Sequence, residues 1–394
     1  MKVNYLRTEG YFEKSEMLIS KLLSLCLVLI AATNLSGQDL HNSKVETGEI
    51  NGAKYRIIFP EKWENKLIMF AHGYEPMGSL PRQSQNDDWL KQMTPYTERG
   101  FAVAASDYSL QGWALPEGVD ETEALREYFY DTYGNPDSTF MVGGSMGGGI
   151  TLAVMENFGD NYDGALALCP LSSRPYLQTR RAFDMVAVFN VLFPGIFPSL
   201  KDILDFSKSN QAQDMRAMFT RGNEILTIIL ERDSTLALDF AKRFDLKIND
   251  VPMNMMFNET ILKDVAQKAC GNPYDNTNTV YSGFNNDLEL NEKIERLASN
   301  ADPEFIFGKY DRTGKIDKPV LVMHTLYDQL IPVAYGITNF EHMIHKQGRE
   351  QYFSTKYTNG QGHCAFTNEQ IAHAFDGLRA WVKSGKKADS GLIK

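Results

Sequence analysis

The sequence predicts an α/β fold: a mostly parallel sheet with helices on both faces, led by an antiparallel hairpin and carrying a helical insertion. Three observations predict it. From Lys66 to Cys169, short apolar runs alternate with stretches of helical character. A parallel sheet covered on both faces reads that way. The alternation stops at about Leu171 and resumes at Lys318. Ahead of it, Asn51-Gly52 separates two segments of strand-like alternation, the strongest short signal for a hairpin.

At the N-terminus, Lys14 and Lys21 precede the apolar run Leu22 to Ala32. The run has the length of a signal-peptide core and is too short to span a bilayer. Residues 1–37 are therefore expected to be a signal peptide, with a cut near Gly37-Gln38 and either Met1 or Met17 as the start. The mature chain is expected to be secreted or periplasmic and to have no membrane partner.

The hairpin strands are expected at 44–50 and 53–59, and the next strand at 66–71, ending in His72-Gly73-Tyr74. A helix over 88–98 must bend at Pro95 and stops at Gly100. Strands follow at 101–105, with Asp107 and Tyr108 at its end, and at 138–142, with a helix over 121–130 between them. An apolar helix starts at Ile150, and the strand 165–169 ends this half.

Residues 171–317 read as a cap, with helices over 202–218 and 224–244. Two stretches, 189–198 and 251–257, are rich in Phe and Met for loops. They suit either an apolar lid over a substrate pocket or plain packing of the cap on the main domain. The sheet then resumes with a strand at 318–324, a helix over 333–346 and a strand at 352–357. The last helix opens with a capping box, Thr367 and Gln370. It carries an apolar face of Ile371, Phe375, Leu378 and Val382 and ends at Gly385.

The chemistry centres on Gly143-Gly144-Ser145-Met146-Gly147, which fits the G-x-S-x-G turn between a strand and a helix. A serine hydroxyl needs a base to take its proton, and the base needs an acid to orient it. On this scaffold the order is serine, acid, histidine. Asp328 follows the strand ending at His324, and His363 lies in the loop Asn359-Gly-Gln-Gly-His-Cys364 after the last strand. Among the other histidines, His342, His345 and His373 fall on helices, His41 near the signal and His324 on a buried strand. Asp311 and Asp317 would sit at the wrong end of the strand. Two oxyanion donors are needed. The backbone N–H groups of Met146 and Tyr74 are the candidates, with the Tyr74 hydroxyl as an alternative donor. His72 is expected to hold its loop by hydrogen bonding.

Composition narrows the partners. The 394 residues are 43% hydrophobic and 23% charged, with a net charge of −10 spread along the chain. That excludes an electrostatic nucleic-acid surface. No cofactor and no metal are implied. Export leaves Cys169, Cys270 and Cys364. Cys270 with Cys364 is the expected disulfide, with Cys169 free in a core strand, and three free thiols are the alternative.

Taken together, the G-x-S-x-G turn, the His-Gly-Tyr loop, Asp328 and His363 resemble the α/β-hydrolase superfamily over the mature chain apart from the cap. Within it the chain is similar to exported bacterial serine esterases and to prolyl-oligopeptidase-like hydrolases without a propeller. The stretch from Phe101 to Ala114 shares that resemblance, and Tyr108 and Trp113 are its candidate substrate-binding residues. Tannase and feruloyl esterase relatives carry a cysteine before the serine and another after the histidine. Here Cys364 follows His363, but Gly144 precedes Ser145, so that bridge is not expected. The resemblance implies Ser145, Asp328 and His363 as a triad cleaving small-molecule carboxylic esters through an acyl-enzyme. A peptidase or acyltransferase with the same triad is the alternative, and a catalytically silent binding protein a further one.

Overall fold

The computed structural model describes residues 44–80, 82, 87–208 and 215–393. The expected signal peptide lies outside these residues. Among the described residues no helix is long and apolar enough to cross a membrane.

The strands are β1 (Lys44–Ile50), β2 (Ala53–Phe59), β3 (Lys66–Ala71), β4 (Phe101–Ser106), β5 (Ser138–Gly144), β6 (Gly164–Leu168), β7 (Val320–Tyr327), β8 (Phe353–Gln361) and β9 (Gly391–Leu392). They form one sheet in the order β1-β2-β4-β3-β5-β6-β7-β8-β9. β1 and β2 pair antiparallel with each other, and β2 pairs antiparallel with β4. From β4 to β9 the pairing is parallel. The β1–β2 turn uses positive φ at both Asn51 (52°) and Gly52 (85°). That twist matches the flanking strands, which is why Asn-Gly is favoured there. This is the architecture of the α/β-hydrolase fold. The two-residue β9 has no sequence signal of its own, and it pairs beside β8 after the last helix.

The helices of the first half are α1 (Asp87–Gln92), α2 (Thr94–Thr97), α3 (Leu115–Tyr133) and α4 (Met146–Phe158). The break between α1 and α2 falls at Met93, and Pro95 sits in the first turn of α2, where its missing N–H is no loss. Between β6 and β7 come α5 (Pro175–Leu192), α6 (Leu200–Ile203), α7 (Met215–Arg243), α8 (Val251–Ala269), α9 (Asp287–Lys293) and α10 (Pro303–Phe307). The chain closes with α11 (Asn339–Gln347) and α12 (Asn368–Ser384).

Two expectations in the helical insertion need correction. The helix expected over 202–218 is absent as a unit, since α6 stops at Ile203. Asp205 then accepts hydrogen bonds from both the amide and the hydroxyl of Ser207, a turn that competes with helix. Residues 251–257, read as a loop, instead open α8, where Pro252 occupies the first turn. Proline lacks only an N–H that is unpaired there anyway, so it starts a helix as readily as it breaks one. α7 is interrupted at Asp233, whose backbone is extended (φ −164°, ψ 97°). The Asp233 carboxylate accepts from the Leu236 amide and so starts the second piece.

One face of the sheet packs against α1, α2 and α12, with Trp89, Tyr96, Phe375, Leu378 and Trp381 buried beneath them. The other face packs against α3, α4 and the insertion. The α12 capping box forms as expected, with Thr367 Oγ1 accepting from the Gln370 amide and the Gln370 side chain accepting from Thr367 N. Gly385 ends the helix at φ 70°. Replacing Thr367 by Ala removes the N-cap and is expected to cost about 1 kcal/mol of stability. A thermal or denaturant midpoint equal to that of the wild type would show that this cap contributes nothing.

Candidate active site

The site is built where the parallel strands end. β5 runs into α4 through Ser145, whose backbone takes φ 60°, ψ −124°. That conformation is strained for any residue with a Cβ. Surrounding backbone holds it: Ser145 N donates to Leu168 O at 2.9 Å, and Leu171 N donates to Ser145 O at 3.1 Å. A Cβ on Gly143 would strike the Gly147 carbonyl, and a Cβ on Gly147 would strike the carbonyls of Ala71 and His72. Both glycines are therefore demanded by backbone approach, and the serine is left at the tip.

Asp328 follows β7, and His363 follows β8. His363 Nε2 lies 2.8 Å from Ser145 Oγ, and His363 Nδ1 lies 2.7 Å from Asp328 Oδ2. A carboxylate only accepts, so Nδ1 carries the proton and Nε2 is left to accept from the serine hydroxyl. Asp328 Oδ1 accepts from the amides of Leu330 (2.9 Å) and Ile331 (2.8 Å). The His363 amide donates to Gln329 Oε1 at 2.9 Å, which seats the histidine loop on the acid loop.

Burial alone pushes the Asp328 carboxyl up, but His363, His324 and the Ile331 amide outweigh it and hold it below its ordinary value. Its folded pKa is depressed, so the stability it contributes is present above the unfolded carboxylate pKa. That stability is lost as pH falls through the depressed value. His324 is also buried here, its Nε2 at 3.9 Å from Asp328 Oδ2. Its Nδ1 lies 2.8 Å from Thr325 O, and burial lowers its pKa, which favours a neutral ring.

Beside the serine, Gly73 lies so close that a Cβ there would come to 3.4 Å from Ser145 Cβ. Among the described residues, neither the Tyr74 amide nor the Met146 amide donates to a protein acceptor. The Tyr74 hydroxyl does not serve as the alternative donor in this structure, because it donates to Asp264 Oδ2 of α8. His72 holds its loop as expected, with Nδ1 at 2.7 Å from Gly73 O.

The two expected substrate-binding residues are packed inside instead. Tyr108 is 1% exposed, stacks on the His72 ring at 4.0 Å and donates its hydroxyl to His72 O at 3.1 Å. It underpins the His72 loop from below and offers no surface to a ligand. Trp113 is 2% exposed and lies edge-on to Phe307 of α10. Aromatic rings after a sheet strand suit a pocket wall and a core equally well, and here core packing wins. Asp311 and Asp317 pair with Arg174 and Arg349, away from the serine.

The disulfide also differs from expectation. Cys364 bonds to Cys169, with Cα atoms 5.3 Å apart, and among the described residues Cys270 is the free, exposed cysteine. β6 lies beside β5, so its end meets both the serine turn and the histidine loop. Cys169 (φ 40°) and Cys364 (φ 52°) each sit in a sharp bend there. A Cβ on Gly144 would lie 4.0 Å from Cys364 Sγ. The sulfur after the histidine thus lies beside the residue before the serine, but takes its partner from the next strand. Cys169, His363 and Cys364 cluster as metal ligands would. Both sulfurs are consumed in the disulfide, so the trio does not fit a metal.

The helical insertion closes over this region through α8. Asn254 Nδ2 donates to Gln329 O at 2.5 Å, and Asn258 Nδ2 donates to Asn254 Oδ1 at 3.1 Å. Phe257 meets the Tyr74 ring at 5.4 Å, and Asp264 takes its hydroxyl. These positions share one helical face. None of these contacts had a sequence signal, because the intervals to their partners follow no local period.

No family model matches the chain. It is 30% identical over 127 residues to an o-phthalyl amidase of Xanthobacter agilis, a match covering 31% of this chain and 26% of that protein. Among solved structures it resembles an esterase of Pyrococcus furiosus, with 11% identity and a TM-score of 0.45. That alignment covers 88% of this chain and 96% of the esterase. It also resembles brefeldin A esterase, a bacterial homologue of human hormone-sensitive lipase, with 14% identity and a TM-score of 0.46. The alignment covers 90% of this chain and 79% of that enzyme.

Thiol titration tests the disulfide directly. Denatured, unreduced protein lacking the expected signal peptide should give one free thiol, and peptide mapping should place it at Cys270. A free thiol at Cys169 or Cys364 would contradict the bridge.

Proposed function

We propose that this chain is an exported serine hydrolase that cleaves carboxylic esters through an acyl-enzyme on Ser145. The observation that carries this is the continuous hydrogen-bonded chain from Ser145 Oγ through His363 to Asp328. In this reading His363 Nε2 removes the serine proton as Oγ attacks the carbonyl carbon. The tetrahedral oxyanion accepts from the amides of Tyr74 and Met146. His363 returns the proton to the leaving group, and Asp328 holds the imidazole tautomer and stabilises its transient charge. A water molecule, deprotonated by the same histidine, then releases the acid. The Cys169–Cys364 disulfide supports the exported half of the reading, since disulfides persist in oxidising compartments.

An amide substrate is the second reading, favoured by the partial match to an amidase. It uses the same triad with an amine as the leaving group. Parallel assays of matched ester and amide substrates separate the two: ester turnover without amide turnover supports the first, and faster amide turnover overturns it.

Ser145→Ala is expected to lose on the order of 10⁴- to 10⁶-fold in turnover while remaining folded. A fluorophosphonate probe should label the wild type and spare this variant. Labelling or near-normal turnover in a folded Ser145→Ala protein would remove the mechanism. Because the Asp328 carboxyl is held below its ordinary value, it stays ionised at pH values where a free carboxylate takes up a proton. An NMR titration that finds Asp328 protonated in the ordinary carboxylate range would contradict this arrangement.

A further inference from the structure

Asp264 is a carboxylate that the steps above leave unused. It is 0% exposed, lies in the C-terminal half of α8 and accepts the Tyr74 hydroxyl. We infer that Asp264 is a positioning residue: acting through Tyr74, it holds the loop that supplies one oxyanion donor. This deepens the proposed hydrolase mechanism and rests on it.

The loop His72-Gly73-Tyr74 is gripped from two sides. From below, Tyr108 donates to His72 O, and the His72 ring lies against Gly73 O. From above, the only polar atom of the Tyr74 side chain is bound to Asp264, and its ring abuts Phe257. Burial, then the charge of Asp264, push the Tyr74 phenol well above its ordinary pKa. The phenol therefore keeps its proton and can serve only as a donor to that carboxylate. Gly112, at φ 74°, leaves the space Asp264 occupies, since a Cβ there would come 2.8 Å from Oδ2.

The Tyr74 amide belongs to the same residue as this anchored ring. A donor must meet the developing oxyanion at about 2.7 to 3.1 Å. A displacement of about 1 Å can cost on the order of 100-fold. The Tyr74–Asp264 bond spans 190 residues of chain and joins the helical insertion to the donor loop. Contacts farther along α8 serve a different purpose. Lys268 Nζ donates to Trp113 O at 2.9 Å and pairs with Glu117 at 2.5 Å, without touching Tyr74 or Asp264 directly.

The test uses steady-state hydrolysis of a p-nitrophenyl ester by the full chain and its variants, with thermal midpoints measured alongside. Tyr74→Phe and Asp264→Ala should each lower kcat by roughly 10- to 100-fold with KM changed by less than about threefold. Asp264→Asn keeps an acceptor oxygen and should recover most of that loss. The double variant Tyr74→Phe/Asp264→Ala should be no slower than the slower single variant. Lys268→Met should lower the midpoint while leaving kcat near the wild-type value. The inference is overturned if Tyr74→Phe turns over at the wild-type rate. It is also overturned if Lys268→Met loses kcat as much as Asp264→Ala for the same loss of midpoint. A wild-type chain that neither hydrolyses the ester nor takes the fluorophosphonate probe would overturn the hydrolase reading, and this inference with it.

Discussion

Everything in the site depends on the backbone turn at Ser145. A positive φ at a residue with a Cβ costs on the order of 1–3 kcal/mol and persists only where neighbours over-determine it. Here α4 passes so close to the end of β3 that Gly147 has no room for a side chain against the Ala71 and His72 carbonyls. That close approach raises the serine clear of the sheet. It also brings the His72 loop alongside Ser145, so the hydroxyl and the candidate donor amides arrive together.

Around that turn the fold gathers loops from strands that are far apart in sequence. Asp328 follows β7, His363 follows β8, and the candidate donor Tyr74 follows β3. Parallel strands place all their C-terminal ends on one edge, which is where such sheets build their sites. The Cys169–Cys364 bridge adds a covalent link between the end of β6 and the histidine loop, across 195 residues. The bridge thereby anchors the loop to the sheet itself, while Lys247 Nζ donates to Gln361 Oε1 at 2.7 Å and ties it to the helical insertion as well. The insertion is joined to the site by hydrogen bonds from α8 and by Gln178 of α5, which donates to Leu330 O.

At Asp328 polar burial is answered by hydrogen bonds. Asp328 is 3% exposed, yet two backbone amides and a histidine engage its oxygens. An unpaired buried carboxylate would instead be strongly destabilising. A second ring, His324, sits beside it with burial favouring its neutral form. Gly336 packs so tightly on that ring that a Cβ would strike Nε2.

The sequence by itself determined the alternation of strands and helices, the Asn51-Gly52 hairpin, the Thr367 cap and the three residues brought together as Ser145, His363 and Asp328. Each of these has a local cause: a period, a turn residue or a capping side chain acts within a few positions of itself. The meeting of these three side chains was legible because the scaffold imposes a chain order and places strand ends on one edge. Only the tertiary structure decided that Tyr108 and Trp113 face inward, that Val251 to Phe257 is helix, that Cys364 joins Cys169 and that Tyr74 answers to Asp264. In these cases two local readings have nearly equal energy. The choice between them falls to side chains tens or hundreds of residues away, where burial and hydrogen-bond satisfaction outweigh local propensity.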